Sequence, residues 1–100
     1  LLKIGKMDSG FTVVEKEQIA AFHFPHESVV LTDLAKAELK TGLARAIALG
    51  NLEHQKVRIY FEDDTAKKVV ETTIWAVTEE AIVLKQNVVI PTHRIVKLEI

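Results

Sequence analysis

The histidines are the first residues whose type could carry chemistry. His23 and His26 form an H-x-x-H pair, and His54 and His93 stand far from it in sequence. Two imidazoles at that spacing reach one metal when the segment is helical. Phe24-Pro25 lies between them, however, and a residue before proline is pushed out of the helical region. No H-E-x-x-H motif exists, so the pair reads as a loop and no metal site is expected. The run Glu62-Asp63-Asp64 lacks the glycine and the later glutamate of a calcium-binding loop. It reads as a hairpin tip whose carboxylates stay hydrated. Ser9 and Ser28 sit in no nucleophile motif, and the glycines at 5, 10, 42 and 50 have no phosphate-loop spacing. The expectation is a chain that is not an enzyme, with no catalytic residue and no cofactor.

A second group pairs cations with aromatic rings. Lys56, Arg58, Tyr60, Trp75, Arg94 and Lys97, with Lys85 and His93 beside them, suit base stacking and phosphate pairing if they share one surface. Two facts weigh against that reading. From His54 onward seven Lys or Arg face seven Asp or Glu, so this half has no basic bias. A lone tryptophan such as Trp75 also more often belongs to a core. The whole chain carries 13 basic and 14 acidic residues, a formal net charge of −1, which provides no global field for nucleic acid or an anionic membrane.

The elements that must position these residues follow from periodicity. The chain has 100 residues, of which 48% are hydrophobic and 27% charged. That length and balance suit one globular domain. There is no cysteine, which excludes disulfides and thiolate chemistry and fits a reducing, cytoplasmic setting. No apolar stretch is long enough for a membrane-spanning helix, which needs roughly 18 residues. Leu1 to Gly10 lacks a signal peptide's apolar run. No membrane partner is expected. Residues 1–30 read as an arm or short elements, with a weak strand over Phe11–Glu15 and an apolar run from Ile19 to Phe24. Residues 31–50 read as a helix: Thr32 or Asp33 caps it, and Ala35, Leu39, Leu43 and Ile47 form a stripe flanked by Leu34 and Ala46. Gly50 and Asn51 are suited to end it, and Gly42 inside it admits close approach of another element.

From residue 55 to 100 the period becomes two. Strands are expected over Lys56–Phe61, Lys68–Val77, Ala81–Lys85, Val88–Ile90 and Arg94–Ile100. Val57, Ile59 and Phe61 oppose Lys56, Arg58 and Tyr60, while Val96, Leu98 and Ile100 oppose Lys97 and Glu99. The short connections imply antiparallel neighbours, since parallel pairs need long crossovers. The fold class is α+β: one main helix plus a four- to five-stranded antiparallel meander, bent toward a small SH3/Sm-like barrel, with the helix over an open end or face.

The segments VRIYFEDD, VVETTIWAV, AIVLK and VVIPTHRIVKLEI together resemble the small Sm-like barrel domains, including the bacterial inhibitors of the Rho termination factor. The resemblance covers Gln55 to Ile100, with Ile90-Pro91 through Ile95 similar to the step that closes such barrels. It implies binding of RNA or of an RNA-acting partner, without catalysis. The residues themselves also leave an exposed strand such as Val96–Ile100, able to pair with a copy of itself or with a protein partner. The leading expectation is a non-enzymatic module for protein interaction or self-association. An RNA-binding module is the alternative, and a small enzyme or metal protein the third.

Overall fold

The computed structural model describes residues 10–53 and 56–99, with residues 47 and 49–53 described as backbone only. The expected arm before Gly10, and the expectations for Ile47, His54, Gln55 and Ile100, lie outside the described residues or side chains. The chain forms β1 (Thr12–Val13), α1 (Lys16–Ile19), α2 (Asp33–Glu53), β2 (Lys56–Glu62), β3 (Lys67–Val77), β4 (Ala81–Leu84), β5 (Val89–Pro91) and β6 (Ile95–Glu99). A tight turn at Lys85–Asn87, with Gln86 and Asn87 at positive φ, and a single 3-10 turn at Thr92–Arg94 flank β5. The α+β class holds: one main helix packs on a six-stranded sheet, antiparallel except for β1.

The leading segment is more structured than its sequence suggests. Val14 donates to the Val69 carbonyl at 2.9 Å, extending the β1 bridge onto β3. Gln18 folds back to accept from the Glu15 N–H at 2.7 Å, which starts the short helix α1 in the manner of a capping box. Ile19 is thereby turned into the core, where it is 2% exposed. Phe22 and Phe24 then lie 6.3 and 5.9 Å from the Phe61 ring. Their spacing fits no single period, because α1 and the following loop bury them from irregular backbone.

Thr32 caps α2: its hydroxyl accepts from the Ala35 N–H at 3.1 Å. Leu39 and Ala46 are buried and Leu43 packs on the core, whereas Leu34, at the edge of the expected stripe, stays exposed. The helix does not stop at Gly50 and Asn51 but continues to Glu53. A glycine costs a helix only about 1 kcal/mol, so it weakens a turn without terminating it. Gly42 meets Leu98: a Cβ there would stand 3.4 Å from the Leu98 Cβ. That approach seats α2 on β6 while its neighbouring turns reach β3.

The sheet order is β5-β4-β3-β2-β6. β2 pairs with β3 from Lys56↔Thr73 to Glu62↔Lys67, and β4 takes over the ladder of β3 beyond it, from Ile74 to Val77. The handover carries a register shift at Trp75, an extra residue that bends a strand containing no glycine. The strands β2 to β5 form the expected meander, but β6 does not continue it. The turn Thr92–Arg94 carries the chain back to the far edge of β2, where Arg58 faces Glu99 and Phe61 faces Ile95. A second shift, at Val96, corrects the expected facing of that strand: Ile95 joins Leu98 on the inner side. Among the described residues no ladder joins β5 to β6, so the sheet is not closed.

Ile59, Phe61, Ile82, Leu84, Ile90 and Ile95 are all 0% exposed. Burying each contributes about 1.5–3 kcal/mol, which makes this layer the main source of stability. Among the described residues no helix is long and apolar enough to cross a membrane.

Candidate interaction surface

The outer face of the sheet collects Arg58, Tyr60, Lys97 and Glu99. Register places Arg58 between Glu71 on β3 and Glu99 on β6, and Tyr60 beside Lys97. Glu99 is the centre of this group. Its Oε1 accepts from the Tyr60 hydroxyl at 2.9 Å and lies 3.9 Å from the Arg58 guanidinium, while its Oε2 lies 3.5 Å from the Lys97 ammonium. Lys97 sits 4.7 Å over the Tyr60 ring, and Phe11 meets that ring edge-on at 5.1 Å. Tyr60 is therefore only 2% exposed. Its alternation with Arg58 is as expected, but Phe11 and Lys97 cover it. The charged pairs are half exposed. Each such pair is worth about 0–1 kcal/mol.

The other candidates lie elsewhere. Lys56 lines a polar groove of about 350 Å³ with Glu15, Lys16, Glu17, Glu71 and Lys85, in which both signs of charge alternate. Trp75 stands on the bulge of β3, beyond the β2 ladder, and is 51% exposed. It is a surface residue, not a core one.

Arg94 is 8% exposed. Its Nε donates to the Glu62 carbonyl at 3.0 Å, its Nη1 to the Glu27 carbonyl at 2.7 Å and its Nη2 to the Asp63 carbonyl at 3.3 Å. Every nitrogen of the guanidinium holds backbone, so Arg94 clamps the leading segment to the β2–β3 turn. The neighbouring His93 Nε2 lies 2.8 Å from the Pro25 carbonyl oxygen. His23 and His26 are exposed, and among the described residues no group of three or more His, Asp or Glu is placed to hold a metal ion.

The acidic turn also departs from its reading as a hydrated tip. Asp63 is 5% exposed and accepts from the Thr65 and Ala66 N–H groups at 2.9 Å, from the Thr65 hydroxyl at 3.0 Å and from the Lys68 ammonium. Burial alone would raise its pKa; the bonds from Lys68, Thr65 and Ala66 prevail and hold the carboxyl down at about 2. Lys68 is itself held 3.8 Å over the Phe22 ring. A short side chain accepting from its own turn is a common Asx arrangement, so Asp63-Asp64-Thr65 carried the signal that one carboxylate of the run turns inward.

Two features were not legible as sites. A groove of about 280 Å³ runs between α2 and β6, lined by Ala37, Glu38, Thr41, Gly42, Arg45 and Leu98. Its sequence signal is Gly42, with Thr41 beside it and Ala37 five residues before it. Beside the groove, β6 has β2 as its one ladder partner among the described residues, at the end of the strand order. Comparison with protein-family models, curated proteins and solved structures finds no match to this chain. The reading of the surface rests on its own geometry.

Proposed function

We propose that this chain is a non-enzymatic interaction module, built as an open small barrel of the SH3/Sm-like kind, that associates with protein through the exposed edge of β6. Three features support the barrel: the strand order, the long β3 shared by two ladders across a bulge, and the 3-10 turn before the returning strand. The observation that carries the function is the second edge of β6, which no described strand pairs, beside the groove against α2. A strand end with free N–H and C=O groups next to an indentation is what strand addition requires: main-chain bonds for affinity and a pocket for selectivity.

The alternative, an RNA-binding Sm-like module, needs cations converging around exposed rings. Glu99 and Glu71 flank Arg58, Glu99 also holds Lys97, and Arg94 is committed to carbonyls. Those contacts favour the protein-interaction reading. The test is a titration of labelled mixed-sequence single-stranded RNA at low and high salt. No salt-sensitive binding is expected. Binding that falls steeply with salt and weakens in Arg58→Ala would overturn the reading in favour of nucleic acid.

A further inference from the structure

Resting on that interaction-module reading, we infer that the occupant of the β6 edge is a second copy of this chain, joined about a two-fold axis at Leu98. The argument is charge complementarity within the surface itself. When β6 pairs antiparallel with its own copy centred on Leu98, Lys97 of each chain faces Glu99 of the other, on the outer face. Both charges are about half exposed, so both are accessible to the copy. Other registers of two identical short strands place like charges together or move both pairs off the ladder. The bulge at Val96 ends the straight part of β6 and confines regular pairing to the segment around Leu98.

The helix side of the groove obeys the same symmetry. Gly42 touches Leu98 and so lies beside the axis. Glu38 and Arg45 stand on either side of it, both exposed and both lining the groove. Rotation about the axis turns α2 antiparallel to its copy and brings Glu38 of one chain toward Arg45 of the other, twice. Thr41 and Gly42, small and central, leave room for the two helices to approach. An isologous interface requires this self-complementarity: if one residue faces another across it, the reverse contact must also be favourable. Two independent elements, a strand with Lys97 and Glu99 and a helix with Glu38 and Arg45, satisfy it about one axis.

The experiment measures mass in solution by light scattering for the wild-type chain and for two variants, Glu38→Arg and Arg45→Glu, separately and mixed. Both side chains are exposed, and a circular dichroism melt of each variant is run alongside to check that it folds. Wild type is expected at twice the mass of 11.2 kDa. Each variant alone sets like charges against each other around the axis, and its dimer dissociation constant is expected to rise at least tenfold. An equal mixture restores opposite charges and is expected to return a dimer, a rescue that damage to the fold cannot produce. A wild-type dimer that neither variant weakens would overturn this interface while leaving the interaction-module reading in place. A wild-type monomer at every concentration would overturn self-pairing, and salt-sensitive RNA binding would overturn the reading beneath it.

Discussion

At the scale of single residues, the polar groups that seemed most available for chemistry serve the fold. Asp63 shows how. Against the upward push of burial, the Lys68 ammonium and three groups of its own turn hold its carboxyl at about 2, below an ordinary 3.8. A carboxyl whose folded pKa is depressed adds stability that is complete above its unfolded value and is lost as pH falls toward the folded one. The chain is therefore expected to lose stability between about pH 4 and pH 2 through Asp63. In Asp63→Asn that share of the acid sensitivity should vanish, leaving a flatter dependence from a less stable start; urea unfolding across this range measures it. An equal slope in both proteins would contradict the assignment. Arg94 could not be read this way in advance, since a sequence places a cation near a turn but does not reveal whether carbonyls from residues 27, 62 and 63 converge on it. Trp75 was equally ambiguous. The strand period places it on the face of Glu71 and Thr73, opposite the buried Val70, Thr72 and Ile74, but does not reveal that nothing among the described residues covers that face at Trp75.

At the scale of elements, local signals were read well where one period governs. The helix start at Thr32, the inward face Val57, Ile59 and Phe61 of β2, and the turns at Asp63–Ala66 and Gln86-Asn87 all follow from cap, alternation and turn chemistry. Thr32→Ala should remove the cap and cost about 1 kcal/mol in chemical denaturation, while Thr32→Asp should keep most of it. A loss well below that would mean that the packing of α2 on β3 and β6, rather than its first turn, sets its stability. Elements became illegible where a bulge or an irregular segment broke the period. The bulge at Val96 exchanged the expected inward set of β6, and the segment from Glu15 to Phe24 buries Ile19 through a helix only four residues long. The overrun of α2 past Gly50 has the same lesson in reverse, since a punctuating residue is a weak stop when the helix continues to gain hydrogen bonds.

At the scale of the whole molecule, one long strand organises everything. β3 serves β1 and β2 with its first half and β4 with its second, and the chain then returns so that β6 closes onto β2 rather than onto β5. That return was the part of the topology a meander pattern does not encode, because a short connection such as Thr92–Arg94 normally joins neighbours. Among the described residues it leaves β6 at the end of the sheet with α2 alongside, and this places the groove, Lys97 and Glu99 in one location. Edges of this kind are a hazard unless covered, and the proposed pairing with a copy would cover this one without any change of fold. The most direct measurement is amide hydrogen exchange of the wild-type chain at increasing protein concentration. Exchange of those β6 amides that point away from β2 is expected to slow as concentration rises, while the amides of β5 keep a constant rate. Exchange along β6 that is independent of concentration, or slowing confined to β5, would contradict the assignment of β6 as the interaction edge.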